Sequence, residues 1–263
     1  MQDLGRFGDV GVRLGEDRIA TVEIHRPPNN FFDTALITSL ADAFEKLDAS
    51  ACRAIVLCAE GKHFCAGANF GGGGGGSGPA GARDDAGELY REAVRLFAAK
   101  TPVIAAVQGA AIGGGLGLAL AADFRVASPE ARFSANFARL GFHHGFGLTV
   151  TLPRLVGMQV AQELLYTGRR VPGQEALHLG LCDRLAPAEL LREEAFLLAR
   201  EIAESAPLAV RSIRETLRGD LAEQVRTATE RERSEQARLQ QTRDFREGIA
   251  ATAERRTPRF EGR

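Results

Sequence analysis

Residues 101–115 carry the clearest structural signal in the chain and read TPVIAAVQGAAIGGG. Pro102 introduces a short, fully apolar run, Val103–Val107, of the kind found in buried parallel strands. Three consecutive glycines follow at 113–115, and the apolar segment behind them, 116–122, predicts a buried helix. A strand, a glycine turn and a helix in this order predict one unit of a parallel sheet with helical crossovers.

The same alternation of strands and helices extends to both sides of this unit. Residues 18–24 alternate between apolar and polar as a half-buried strand does, and 54–58 form a second apolar strand. The order of these elements predicts an α/β fold. A third short strand is predicted at 124–127. Helices are predicted at 34–47, 86–99, 157–167, 173–179 and 187–205, the first of them capped by Asp33 or Thr34, and 207–255 is predicted to be almost continuously helical.

Length and charge exclude several classes of protein. A chain of 263 residues, 44% of them hydrophobic, can bury a sizeable core, and a net charge of −1 provides no basic field for nucleic acid. No apolar run approaches the roughly 18 residues of a membrane-spanning helix, and residues 1–12 lack the apolar centre of a secretory signal. The four cysteines show no disulfide or CxxC spacing. We therefore expect a cytoplasmic protein that binds neither nucleic acid nor membrane.

Nucleotide and metal sites are not supported by the motifs. The glycine run at 71–76 satisfies G-x-G-x-x-G, but it lacks the flanking strand and helix of a dinucleotide site, so we interpret it as a surface loop. Of the five histidines only His143 and His144 are adjacent, and no third ligand stands at a suitable spacing for a metal. This pair is either a turn or pocket-lining feature or a source of one general acid or base.

Two glycine-containing turns have a more specific pattern. GKHFCAGA, at 61–68, follows the strand at 54–58, and QGAAIGGG, at 108–115, follows Val103–Val107 and opens a helix. Small residues let bare backbone N–H groups approach a ligand, and the second turn places its N–H at the positive end of a helix. Two such donors on one oxygen would form an oxyanion hole, which stabilises an enolate. Glycines that only permit tight packing are an equal alternative.

Several motifs in order resemble those of the crotonase family, also called the enoyl-CoA hydratase/isomerase superfamily. The resemblance implies a spiral of ββα turns over residues 1–202 and a C-terminal helical segment, 203–263, that builds a homotrimer or a hexamer. The motifs are HRPPNN at 25–30, GKHFCAGA at 61–68, TPVIAAVQG at 101–109, AAD at 121–123, LPRLVG at 152–157, LYTG at 165–168, residues 176–180 and FREG at 245–248.

The resemblance also implies a site. An acyl-CoA thioester would bind, and the N–H groups of Ala68 and Gly114 would hold the oxygen of its enolate. Coenzyme A is then part of the substrate, so we expect no separate cofactor and no metal; its phosphates would need cations, either arginine or Lys62. The substrate-binding positions implied are Asn30, Phe31, Cys65, Gly67, Phe70, Gly113, Asn136, Phe137, Leu140 and Gly141.

The chain departs from the family pattern at the two glutamates that hydratases use. Gly117 stands at the first position and Phe137 at the second. Hydration needs a base for the water and an acid for the α-carbon, so we expect ordinary hydratase activity to be weak or absent. His144, and after it His143, is the candidate base, because imidazole titrates near neutrality. Cys65 is either a nucleophile or a small buried thiol, and the second reading is favoured.

The resemblance therefore implies an enzyme of the enoyl-CoA hydratase/isomerase type that binds an acyl-CoA thioester and stabilises its enolate. Isomerisation, cleavage of a carbon–carbon bond, thioester hydrolysis and non-catalytic binding remain open. Four phenylalanines, at 31, 32, 137 and 142, suggest an apolar pocket for the acyl group.

Overall fold

The computed structural model describes residues 2–69 and 82–263. Phe70 and the predicted loop at 71–76 lie outside the described residues. The strands are β1 (Gln2–Phe7), β2 (Val10–Leu14), β3 (Ile19–Ile24), β4 (Ala54–Ala59), β5 (Val103–Val107), β6 (Ala110–Ile112), β7 (Phe124–Ala127), β8 (Arg132–Ser134), β9 (Val171–Pro172) and β10 (Arg184–Leu185). The helices are α1 (Thr34–Asp48), α2 (Ala82–Ala98), α3 (Gly114–Ala121), α4 (Leu148–Val156), α5 (Met158–Thr167), α6 (Gly173–His178), α7 (Leu191–Ala203), α8 (Pro207–Arg218), α9 (Leu221–Leu239) and α10 (Arg243–Ala253).

The larger sheet has seven strands in the order β1-β2-β3-β4-β5-β7-β10. It is parallel from β3 to β10, while β1 and β2 form an antiparallel edge. The register places Ile55 opposite Val103 and Ile104 opposite Phe124. The predicted α/β fold with parallel crossovers is confirmed.

The apolar runs of the central strands are explained by burial on both faces. In β4, Val56 and Cys58 point into a small core under α7, whereas Ile55 and Leu57 point into the main core. Successive side chains of a strand face opposite sides, so a strand covered on both faces must be apolar throughout.

A smaller sheet, in the order β6-β8-β9, lies beside the glycine turns. Its edge is extended by two isolated parallel bridges, Cys65 with Ala111 and Phe32 with Ala68. These bridges bring the turn after β4 and the turn after β5 into one layer.

The prediction that 207–255 is almost continuously helical is confirmed, and three helices, α8, α9 and α10, occupy the segment. Gly219 ends α8 with a φ of +54°, and the side chain of Thr242 caps α10 by accepting from the Phe245 N–H at 3.1 Å. Helix α9 packs against α2 and α4, and α10 packs against the single 3₁₀ turn Ala138–Leu140. The segment therefore folds back onto its own chain, while the boundary at 202 stays a prediction.

Helix α4 was missed by the sequence analysis, and so were the short strands β1, β2, β6, β8, β9 and β10. The sequence shows no N-terminal cap for α4, because the residue that precedes the helix is Gly147, which has no side chain to make a capping hydrogen bond. Across the described ranges, no helix is long and apolar enough to cross a membrane.

Candidate active site

The two glycine turns lie side by side. The Cys65 N–H donates to the Ala110 carbonyl at 2.9 Å, and the Ile112 N–H donates to the Cys65 carbonyl at 3.1 Å. Gly67 follows with a φ of +94°, and a Cβ there would lie 2.9 Å from the Ile112 carbonyl oxygen. Glycine is therefore required at 67, both for its backbone conformation and for the close approach of the second turn.

The N–H of Ala68 is available to a ligand. The Phe32 N–H donates to the Gly67 carbonyl at 3.1 Å, which makes Phe32 and Ala68 a parallel bridge pair. In this register the N–H of Ala68 points away from the segment that carries Phe32. Within the part of the chain that the structure describes, this N–H meets no protein acceptor.

The N–H of Gly114 is available for a different reason. Gly113 caps α3 with a φ of +57° and donates its own N–H to the Ser134 carbonyl at 2.8 Å. Gly114 is the first residue of α3, and a first-turn N–H has no partner inside its helix. No described residue accepts it either. The ring of Phe32 packs so closely on Gly114 that a Cβ would overlap it.

Ala68 and Gly114 line one cavity of about 410 Å³. This volume is in the range of small-molecule sites. The structure brings eight of the predicted positions together in its wall: Phe31, Gly67, Ala68, Gly113, Gly114, Asn136, Phe137 and Leu140.

Three predicted substrate-binding residues make structural contacts within the fold. Asn30 is fully buried, and its side chain accepts from the Arg26 N–H at 2.9 Å and donates to the carbonyls of Glu60 and His63. Cys65 is buried in its bridge, and burial raises the pKa of its thiol to about 12, which argues against a nucleophile. Gly141 packs against the backbone of 244–245. None of the three is in the described cavity wall.

The two histidines are not brought to the cavity. The rings of His143 and His144 stack at 4.1 Å, and His144 Nε2 bonds to Thr149 Oγ1 at 2.9 Å. Burial, and after it the neighbouring His143, lowers the pKa of His144 to about 4. Neither residue is among the described lining residues. The structure thus gives no support to the prediction that either acts as the base.

Gly117 and Phe137, the positions that the resemblance equates with the hydratase glutamates, are apolar, and the space around them is filled. A Cβ on Gly117 would lie 2.6 Å from Phe146 Cβ, so Phe146 occupies the space into which a side chain would extend. The ring of Phe137 lines the cavity and packs on Phe142 with a centroid distance of 5.4 Å. Among the described lining residues none is acidic, basic or histidine.

The sequence analysis missed the residues that close the cavity from α2, α9 and α10. Tyr90 comes from α2, Gln236 from α9 and Thr252 from α10. Gln240 also lines the cavity and lies one helical turn after Gln236, so spacing could have placed both on one face of α9. Burial, together with the carboxylate of Glu232, raises the pKa of Tyr90, which stays protonated at neutral pH.

The buried carboxylate of Glu232 holds the loop that carries the cavity residues Gly145 and Phe146. It accepts from the Gly147 N–H at 2.9 Å, the Thr149 N–H at 3.0 Å and Thr149 Oγ1 at 2.6 Å. These donors lie at the N-terminus of α4, where a negative charge is favourable. Helix α9 therefore fixes one wall of the cavity from a distant part of the sequence.

No three His, Cys, Asp or Glu side chains come together as a metal-binding group in the ranges that the structure covers.

Comparisons with known proteins agree over nearly the whole chain. The family model described as enoyl-CoA hydratase/isomerase matches residues 15–263. The carnitinyl-CoA dehydratase of Proteus mirabilis is 34% identical, with 93% of this chain and 95% of the relative covered. The 2,3-dehydroadipyl-CoA hydratase of Escherichia coli is 32% identical, with 94% and 97% covered. A crystal structure of an enoyl-CoA hydratase/isomerase from Pseudoalteromonas atlantica superposes with a TM-score of 0.83 at 30% identity, covering 96% of this chain and 100% of that one.

Proposed function

Because the chain belongs to the enoyl-CoA hydratase/isomerase family, we propose that its cavity binds an acyl-CoA thioester and stabilises the enolate through the N–H groups of Ala68 and Gly114. The protein is an enzyme of this family, and its reaction is the open question. One observation carries the proposal: two backbone donors, neither of which meets an acceptor among the described residues, line the same cavity. Donors fixed before the reaction, in a site of low polarity, stabilise a developing oxyanion strongly.

We also propose that hydration is not the main reaction. The only titratable side chain among the described lining residues is Tyr90, and its raised pKa means that the hydroxyl keeps its proton and does not act as a base. Gly117 and Phe137 provide neither of the two carboxylates on which the family's hydratases depend, and loss of one general acid or base costs about 10²–10⁴ in rate. Isomerisation, carbon–carbon cleavage and thioester hydrolysis are the alternatives.

The experiment measures turnover with four thioesters that each report one reaction. A trans-2-enoyl-CoA reports hydration, a 3-enoyl-CoA isomerisation, a 3-oxoacyl-CoA carbon–carbon cleavage and a saturated acyl-CoA hydrolysis. Among the four reactions, we expect hydration to show the smallest acceleration over its spontaneous rate. Rapid hydration would contradict the second proposal, and binding of all four without turnover would show that this chain has lost its catalysis.

Gly114→Pro tests the oxyanion donor, because proline removes one N–H and its fixed φ suits the first helical position. Its Cβ would displace the Phe32 ring, so Gly114→Ala is the matched control, which adds the same Cβ but keeps the N–H. We expect the proline variant to turn over the best of the four thioesters about 10²–10³-fold more slowly than the alanine variant. Equal and measurable rates for the two variants would exclude Gly114 as a donor.

We propose a homotrimer, alone or paired into a hexamer, and helix α8 supports this. Its arginines face the protein's own core: Arg214 Nε donates to Asp123 at 2.9 Å and Arg218 to Asp123 at 2.8 Å. Its apolar side chains face outward, with Ile213 59% and Leu217 70% exposed. Helices of a single globular chain normally bury their apolar face, so a second copy of the chain is the natural partner for this one.

Light scattering tests the assembly. The wild-type protein should have three or six times the chain mass of 28.2 kDa. Replacing Ile213 and Leu217 by Asp should give monomers, whereas the control Leu177→Asp, at an exposed leucine of α6, should not. A monomeric wild type would contradict the proposal.

We further propose a cytoplasmic location and no cofactor apart from the coenzyme A of the substrate. The four cysteines support this location, because all are buried free thiols, as is usual in a reducing compartment.

A further inference from the structure

The cavity wall contains a polar pair, Tyr90 and Gln236, among apolar side chains. The Tyr90 hydroxyl donates to Gln236 Oε1 at 2.8 Å, and Gln236 Nε2 donates to the His143 carbonyl at 3.0 Å. Tyr90 is 8% exposed and Gln236 9%, and both line the cavity. The pair is therefore nearly closed to bulk water and faces the ligand space.

The pair has hydrogen-bonding capacity that no described residue uses. The Phe146 N–H faces the Tyr90 oxygen and interacts with one of its two lone pairs, so the other is free. Among the described residues, Gln236 Oε1 accepts only from Tyr90, and one of the two Nε2 hydrogens is engaged. Two acceptor positions and one donor position remain, which match a group that both donates and accepts, as a hydroxyl does.

The rest of the described wall is uncharged. Its polar side chains are amides and hydroxyls, and none of its described residues is Asp, Glu, Lys, Arg or His. An ionised acyl group would find no counter-charge among these described residues, and burial of an unpaired charge is strongly unfavourable. The described part of the wall thus selects against acyl groups that end in a carboxylate or an ammonium group.

The contacts place the pair away from the oxyanion donors. Phe32 packs on Gly114, and its ring meets that of Phe146 with a centroid distance of 5.6 Å. Gly145, next to Phe146, lies directly against the Tyr90 hydroxyl and Gln236 Nε2. The rings of Phe32 and Phe146 therefore separate Gly114 from the pair along this series of contacts, and an apolar segment between thioester and hydroxyl would pack on them.

We propose that this cavity selects an uncharged acyl group with an apolar body and a hydroxyl several carbons from the thioester, and that Tyr90 and Gln236 bind the hydroxyl. The inference rests on the proposed function, since it places the thioester at Ala68 and Gly114. Tyr90 and Gln236 are then specificity residues, which contact the substrate but not its reacting atoms.

Calorimetric titration with three thioesters of equal chain length tests the selection: hexanoyl-CoA, 6-hydroxyhexanoyl-CoA and the mono-CoA ester of adipic acid. We expect the hydroxyl compound to bind about tenfold more tightly than hexanoyl-CoA, the size of one well-made hydrogen bond. The adipyl compound should bind at least about 100-fold more weakly than the hydroxyl compound, because its carboxylate is unpaired. Equal affinity for all three, or tightest binding of the adipyl compound, would overturn the inference and leave the proposed function intact. Binding of none would contradict the proposed function itself.

Variants assign the effect to the pair. Tyr90→Phe should reduce the roughly tenfold preference for the hydroxyl compound to about unity while hexanoyl-CoA still binds. Tyr166→Phe, the same change at a tyrosine of α5 that is 74% exposed, is the matched control and should keep the preference. Gln236→Met is the second variant and should act as Tyr90→Phe does, with Gln241→Met, at an exposed position, as its control. A preference that survives both cavity variants would overturn the assignment.

Discussion

The packing of Phe146 on Gly117 predicts that Gly117→Ala has opposite effects on stability in the presence and in the absence of Phe146. A Cβ at 117 would lie 2.6 Å from Phe146 Cβ and 2.8 Å from its Cγ. Rotation of the ring cannot relieve this overlap, because Cβ is bonded to the backbone. Gly117 is nevertheless inside α3, where alanine is intrinsically the better residue.

The expected magnitudes follow from these two opposing effects. In the wild type, Gly117→Ala should destabilise the protein by about 1–3 kcal/mol, the usual cost of overpacking a core. In a Phe146→Gly background the overlapping atoms are absent, and the same change should stabilise by about 1 kcal/mol through helix propensity. Phe146→Gly itself should cost about 3–5 kcal/mol for the lost ring, partly offset because a φ of +61° suits glycine.

The coupling free energy between the two substitutions should be about 2–4 kcal/mol. It is measured by urea unfolding of the wild type, both single variants and the double variant. All four proteins are compared at one protomer concentration, because assembly would shift their apparent stability. Gly87→Ala in α2 is the control: a Cβ there would have only an ordinary contact, 3.6 Å from Arg91, so it should stabilise in both backgrounds. The reasoning is refuted if Gly117→Ala has the same sign and size with and without Phe146. If it holds, a glutamate at 117 is compatible with this fold only after Phe146 is removed.

Two further predictions concern stability. Asp123→Asn should lower the free energy of unfolding, measured with urea, by about 3 kcal/mol, because Arg214 and Arg218 would lose the charge that pairs with them in a largely buried site. A loss no larger than that of a surface substitution would contradict this. Because the folded state lowers the pKa of His144 from 6.5 to about 4, its contribution to stability is complete above about pH 6.5 and is lost, by about 3 kcal/mol, as the pH falls toward 4. Unfolding of His144→Gln should depend less on pH over this window, and the exposed His178→Gln should behave as wild type.

Much of the fold could be predicted because the central strands are buried on both faces. Val103–Val107 agrees with its prediction at both ends, and Asp33 caps α1 by accepting from the Leu36 N–H at 2.9 Å. Strands of two or three residues, such as β6 and β9, are too short to show a period of their own. The resemblance to the crotonase family, stated from the motifs, is confirmed by the family match and by the solved structure.

The candidate site was predictable where local backbone geometry creates it and not where distant chain segments close it. Two turns that are continuous in sequence suggest a pair of donors, the resemblance to the family assigns them to Ala68 and Gly114, and both residues lie in the cavity wall. Tyr90 and Gln236 meet across 146 positions, and no local pattern pairs them. The ordinary pKa of imidazole favours His144 as a base, but in the fold the ring is buried beside Thr149, away from the described cavity wall, and its pKa is lowered.

A crystal structure of the complex with hexanoyl-CoA tests the central claim most directly. The thioester oxygen should lie within about 2.7–3.1 Å of both backbone nitrogens, Ala68 N and Gly114 N. A thioester oxygen bound to solvent or to a side chain, with either nitrogen beyond hydrogen-bonding distance, would contradict the account.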